Sequence, residues 1–173
     1  MFFHGSKDNL EIGDTLISQE DTGYTSYEEC ISIENAFEYF RPEDKISRKT
    51  AIYLVDDPNI IEKVGGYDDY IYEIDPIGNI QKSDLYWYNE VAKEMGDFFE
   101  IEELTEKAKK YIENYWNSVE SLNKNIEYRV ESAIVRKEFK IEEINNLESL
   151  KVYVNKKSGE FNKNTTNMKK NKL

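Results

Sequence analysis

A chain of 173 residues with 39% apolar side chains, 13 tyrosines, 8 phenylalanines and 2 tryptophans is the size of one domain with its own core, not a disordered polymer. One cysteine (Cys30) and one histidine (His4) exclude an intramolecular disulfide and a Cys/His zinc site, and leave little room for a Ser-His-Asp triad. The formal charge of -12 is uneven: from Asn155 onward six lysines stand against one acid, so residues 1–154 hold 17 basic and 34 acidic groups, which disfavours long nucleic acid as a partner.

The first residues carry no basic flank and no long apolar run, and no stretch approaches the length of a membrane span, so a soluble, cytoplasmic protein is expected. Phe2-Phe3-His4 reads as a short strand ended by Gly5, and Leu10 to Ile17 as a turn at Gly13-Asp14 with a brief extended piece. Ser26 and Glu29 have the spacing of a capping box, and Cys30, Ile33, Phe37 and Phe40 continue as an apolar helical stripe that Arg41-Pro42 stops. Cys30 at this spacing reads as half-buried packing.

Ala51-Ile52-Tyr53-Leu54-Val55 is apolar throughout and predicts a buried strand; Pro58 then predicts a short helix through Ile61 to Val64, broken by Gly65-Gly66. Tyr70 to Pro76 is a second strong strand, Gly78 a turn, and Asn79 to Lys82 an extended continuation. Leu85 to Met95 reads as a helix ended by Gly96. Apolar residues recurring every three or four positions from Ile101 to Val119 give the clearest amphipathic helix. Ile126 to Phe139 is a third strand region, and Lys151 to Val154 can add a last strand. Residues 1–154 are expected to form the domain and 155–173 a polar Lys/Asn-rich tail. Strands and helices interleave without a repeated βαβ spacing, which favours α+β.

No Gly-rich phosphate loop and no clustered ligand set appear, so no metal is expected. In Phe3-His4-Gly5-Ser6, an imidazole able to bond a ribose hydroxyl stands beside a glycine whose backbone can pair with a planar carboxamide, because no Cβ blocks approach. This segment, followed by Ala51-Ile52-Tyr53-Leu54-Val55-Asp56 and by Ile126-Glu127-Tyr128-Arg129-Val130, resembles the ADP-ribosyltransferase superfamily in its diphtheria-toxin-like, His-Tyr-Glu branch. That branch includes the poly(ADP-ribose) polymerases. The opening, through Lys7, Leu10 and Gly13-Asp14, is also similar to rifamycin ADP-ribosyltransferases. Phage-borne proteins of this kind are a further expected association.

The resemblance implies an α+β fold of split antiparallel sheets with flanking helices, and NAD as substrate. It implies that His4 bonds the ribose hydroxyls, that Gly5 holds the nicotinamide amide through its backbone with Ser6 beside them as a ribose or carboxamide contact, and that Tyr53 stacks on the nicotinamide ring. Glu127 then stabilises the oxocarbenium-like centre. A second stacking tyrosine is sought among Tyr67, Tyr70 and Tyr72, with Tyr72 taken as a cofactor contact. Asp84 and Glu90 are secondary candidates: the aspartate-type relatives make Asp84 a rival to Glu127, against its simpler reading as a solvent-facing helix cap. The expected activity is mono-ADP-ribosylation of a protein acceptor. Two alternatives stand beside it: a small-molecule or nucleobase acceptor, and a non-catalytic acidic inhibitor of a basic partner, such as a phage anti-defence protein.

Overall fold

Seven strands, most of them rich in β-branched and aromatic residues, form in a computed structural model that describes residues 1–18 and 31–139. They form two antiparallel sheets beside three α-helices, the mixed α+β architecture expected from the irregular interleaving of elements. Strands β1 (Phe2–Ser6), β4 (Tyr70–Ile77), β7 (Ser132–Phe139) and β2 (Thr15–Ile17) lie side by side in that order. The second sheet has the order β3 (Ile52–Leu54), β6 (Ile126–Val130), β5 (Gln81–Asp84). The helices are α1 (Ile31–Tyr39), α2 (Tyr86–Met95) and α3 (Glu106–Trp116).

Residues 1–138 make one compact unit; of the other, residues 139–173, only Phe139 is described. The Ser26/Glu29 capping box, Cys30, the Lys151–Val154 strand and the Lys/Asn-rich tail all lie outside the described residues.

Within the first unit, side-chain alternation sorts the chain into layers. Ile52, Leu54 and Val130 from one sheet pack with Tyr72, Ile74, Ala133 and Val135 from the other, forming the core between the sheets. The helices have their own core, built from Ile33, Ala36 and Phe37 of α1, Val91 of α2, and Ala108, Ile112, Tyr115 and Trp116 of α3. Between that helical core and the β3–β6–β5 sheet lies a layer of polar side chains.

Four elements differ from what the sequence leads one to expect. Gly5 does not end the first strand, because pairing with β4 carries β1 on through Gly5 and Ser6. The expected short helix after Pro58 is a pair of 3-10 turns, Pro58–Ile60 and Glu62–Val64, the first capped by the Asp57 carboxylate. The long amphipathic helix breaks near its start. Ile101–Glu103 is a separate 3-10 turn, and α3 begins afresh where the Thr105 hydroxyl accepts from the Ala108 N–H. The strand region 126–139 divides at Glu131: β6 pairs with β3 and β5, whereas β7 joins the other sheet, so one continuous stretch serves both.

Candidate active site

The two sheets touch along β1 and β3 through one bridge, Phe3 to Val55, where each N–H donates to the other's carbonyl at 2.8 and 2.9 Å. Continued in register, the pairing would set Gly5 opposite Tyr53, but the strands part instead. In an antiparallel strand, alternate residues turn their N–H and C=O to the same edge. The backbone groups of Gly5 therefore face this gap, as those of Phe3 do, and they make no backbone hydrogen bond to β3. The His4 ring enters the gap and bonds the Tyr53 carbonyl through Nδ1 at 2.9 Å. A carbonyl only accepts, so this bond makes Nδ1 the donor and leaves Nε2 as the acceptor of the neutral ring. Burial lowers the His4 pKa below its ordinary 6.5, partly offset by this bond, which keeps the ring neutral near pH 7.

Close packing requires glycine at position 5. A Cβ there would lie 1.9 Å from the Tyr67 carbonyl oxygen and 2.7 Å from Cγ2 of Ile61. The loop after the second 3-10 turn thus seats Tyr67 directly on the strand. Tyr67 is itself exposed, with the Lys7 ammonium 4.3 Å from its ring centre.

Tyr53 projects toward the helices. Cross-strand pairing with Arg129, and of Ser83 with Glu127, puts Tyr53, Arg129, Glu127 and Ser83 on one face of the β3–β6–β5 sheet. Glu127 is the diagonal neighbour of Tyr53, about 7 Å away by sheet geometry. Arg48, from the segment before β3, lies over this face. Its Nη1 donates to Glu127 Oε1 at 2.8 Å, while Nε and Nη2 grip Glu34 of α1 at 3.0 and 3.1 Å. The Tyr53 hydroxyl donates to the Arg48 backbone carbonyl at 2.7 Å. The Tyr115 hydroxyl is the hub: it donates to Glu127 Oε1 and accepts from Arg48 Nη1 and from Arg129 Nη1, the last at 2.8 Å. Arg129 Nη2 reaches the Ser83 hydroxyl at 2.9 Å.

Glu34, Arg48, Ser83, Glu127 and Arg129 are all at most 1% exposed, so this is a dry network. Two arginines and two glutamates balance in charge, the arrangement that buried ions require. Burial by itself would lower the Arg48 pKa; Glu34 first, then Tyr115, Tyr53 and Glu127, raise it well above the ordinary guanidinium value, so Arg48 stays charged. Burial also pushes the Tyr53 and Tyr115 phenols upward, so both stay protonated as donors. Glu127 Oε2 and Arg129 Nε are buried without a hydrogen-bond partner.

The residues expected from sequence therefore separate. His4, Gly5 and Tyr53 meet where the sheets part, and Glu127 shares the helix-facing side with the Tyr53 ring. Glu127 is not a strand-end glutamate in solvent but is fully enclosed. Ser6 Oγ accepts from the Asp8 N–H at 3.0 Å, bracing the turn after β1.

Tyr72, expected as a cofactor contact, is fully buried in the core between the sheets. Its hydroxyl accepts from the Leu10 N–H at 2.8 Å and donates to Asn9 at 3.1 Å, so no ring face is left for a ligand. Asp84 is no solvent-facing cap. It ends β5 fully buried, accepting backbone N–H groups from Tyr86 (3.0 Å), Asn125 (2.9 Å) and Ser121 (2.8 Å), and so fastens the 121–125 loop to the start of α2. With both oxygens thus engaged it organises the loop. Glu90 lies on α2 and pairs with Lys93 at 2.6 Å.

Arg48, Glu34, Tyr115 and Arg129 join the site only in the folded chain. The available signal was Glu127-x-Arg129, two opposite charges on one face of an otherwise apolar strand, in a chain with few arginines. A surface hollow of about 380 Å³, lined by Phe40, Pro42, Lys109, Lys110 and Trp116 among others, contains none of the sequence-predicted site residues. Its two lysines face Glu106 and Glu113, so the hollow has no net charge to recognise.

Among the described residues, no group of His, Cys, Asp and Glu is placed to hold a metal ion, and no helix is long and apolar enough to cross a membrane. No protein-family model matches the chain, and no curated protein is significantly similar to it in sequence.

Proposed function

We propose that the chain is an NAD-dependent mono-ADP-ribosyltransferase acting on a protein acceptor, with an ADP-ribosyltransferase-like fold. The observation that carries this reading is the gap between β1 and β3. A neutral imidazole of defined tautomer and the free backbone edge of a glycine stand there, against the strand that bears Tyr53. His4 Nε2 suits a ribose hydroxyl as donor, and the Gly5 N–H and C=O suit the carboxamide of nicotinamide. Tyr67, exposed and seated against Gly5, takes the second stacking role in place of the buried Tyr72, alongside Tyr53.

In this reaction the bond between ribose C1′ and the pyridinium nitrogen breaks, its electron pair neutralises the ring, and nicotinamide leaves uncharged. An acceptor nucleophile bonds to C1′ and releases a proton. The barrier lies in the positive charge that develops on ribose, and Glu127, with Oε2 uncommitted, is the carboxylate that stabilises it. Because Glu127 is enclosed, the reading requires the polar layer to open as NAD enters. The test is release of nicotinamide and labelling of lysate proteins from isotopic NAD by wild type and by Glu127→Gln. Loss of about 10²–10³ in rate is expected; equal labelling by the two refutes the mechanism.

The enclosure of Glu127 also favours a second reading, in which the network only braces the fold of a non-catalytic acidic inhibitor. Stoichiometric inhibition of a basic partner that needs no NAD and survives His4→Ala would establish that alternative.

A further inference from the structure

The two charged ends of the polar layer meet in one residue, and the pattern of its bonds is asymmetric. Arg48 and Tyr115 both donate to Glu127 Oε1, so two donors converge on a single carboxylate oxygen while Oε2, equally buried, has none. An orphaned carboxylate oxygen in a dry site carries the full desolvation penalty of an unpaired polar group. The Arg48 guanidinium is also divided. Two of its nitrogens belong to Glu34, so one guanidinium serves two carboxylates in the triad Glu34–Arg48–Glu127, and Arg129 supplies the balancing charge only through the Tyr115 hydroxyl. Through its backbone the same residue accepts from the Tyr53 hydroxyl, and its N–H donates to Glu38 Oε1 at 2.6 Å.

We propose that Arg48 is the positioning residue of the site. It clamps Glu127 by Oε1, leaves Oε2 as the oxygen that meets the ribose hydroxyl, and ties that carboxylate to the Tyr53 ring through its own carbonyl. Glu34 is the counterweight that anchors the guanidinium in α1 and keeps it from fully neutralising Glu127. The proposal rests on the ADP-ribosyltransferase reading. It separates from that reading because it concerns rate at fixed substrate affinity.

The experiment is steady-state release of nicotinamide from NAD by wild type, Arg48→Lys, Arg48→Gln, Glu34→Gln, Glu127→Gln and the double variant Arg48→Gln/Glu127→Gln, with thermal melting as the folding control. A lysine keeps the charge but not the fork that spans two carboxylates. Arg48→Lys is therefore expected to lower kcat by about tenfold and Arg48→Gln by about 10²-fold, approaching Glu127→Gln, with the KM for NAD within about twofold of wild type. The double variant should be no slower than Glu127→Gln alone, because residues acting through one group are not additive. Glu34→Gln, which loosens Arg48 without touching Glu127, should lower kcat about tenfold at unchanged KM. If an Arg48 variant does not fold, Glu34→Gln decides: unchanged kcat overturns the proposal. An active wild type with an inactive Glu127→Gln but unaffected Arg48→Lys and Glu34→Gln overturns the role of Arg48 and leaves the functional reading standing. A folded wild type that neither binds NAD nor releases nicotinamide overturns both.

Discussion

Gly5→Ala tests whether the site is set by close backbone approach. The added Cβ would sit 1.9 Å from the Tyr67 carbonyl oxygen, 2.7 Å from the Ile61 Cγ2 methyl and 3.0 Å from the Tyr67 carbonyl carbon. The isoleucine methyl can rotate aside, but the carbonyl belongs to the backbone and must move about 1.5 Å to restore ordinary contact. Overpacking of this kind costs about 1–3 kcal/mol. For a chain of this length that corresponds to a fall in Tm of roughly 3–10 °C. The retreating segment carries the Tyr67 ring with it, so NAD affinity should fall together with Tm, measured by circular dichroism melting and by titration calorimetry. Ile61→Ala in the same background should recover only the methyl part of the loss. A melting temperature unchanged by Gly5→Ala, or full rescue by Ile61→Ala, would show that the Tyr67 carbonyl does not demand glycine.

Three further outcomes follow from individual groups. Burial depresses the His4 pKa, so on acidification the unfolded chain binds the proton first; stability should fall as pH drops below about 6.5 and stop falling once the folded-state pKa is passed. Replacing His4 with glutamine should flatten that limb of a Tm-against-pH curve; an identical slope in wild type and variant would exclude His4 as its source. Asp84→Ala removes the acceptor of three backbone amides and should cost at least about 3 kcal/mol in urea unfolding, at 1.5–3 kcal/mol per charge-assisted bond partly recovered by water. Asp84→Asn can keep Oδ1, which serves Tyr86 and Asn125, and should cost less; equal losses would contradict that division. Tyr72→Phe strands the Leu10 N–H and should cost about 1–3 kcal/mol without changing the KM for NAD, whereas a raised KM would restore Tyr72 as a ligand contact.

The elements that hold the gap were legible in the chain because each strand announces itself locally. Ala51 to Val55 is apolar without interruption, and Tyr70 to Pro76 is aromatic and β-branched. His4 and Gly5 stood out for the opposite reason, as a lone imidazole beside a glycine, although the packing of Tyr67 and Ile61 that requires that glycine, inside β1 rather than at its end, was not visible in the sequence. What could not be read was which strand faces which. Glu127 and Arg129 alternate with apolar neighbours as a half-exposed strand does, and only the helices lying across that face turn a solvated pattern into a buried one. Arg48 sits in a polar segment with no periodicity, so its place over the sheet is a tertiary fact. Ile126 to Phe139 reads as one strand because Glu131 offers no glycine or proline to mark the change of sheet. The N-cap at Thr105 was locally encoded, but the apolar spacing running through Leu104 concealed the break.

The change of sheet at Glu131 has a mechanical consequence. The two sheets are one piece of chain at that point, where the Glu131 carbonyl also holds the Ser18 N–H at 2.7 Å. Along β1 and β3, among the described residues, they are fastened by the Phe3–Val55 pair of backbone bonds and by the bond between His4 Nδ1 and the Tyr53 carbonyl. Hinge and clasp are thus distinct: undoing these three hydrogen bonds would loosen the β1–β3 edge without unpairing either ladder, while the core between the sheets still holds them together. The backbone amides of Phe3 and Val55 are consequently the natural reporters of that motion, since hydrogen exchange at these two sites would track how often the clasp opens while the strand interiors stay protected.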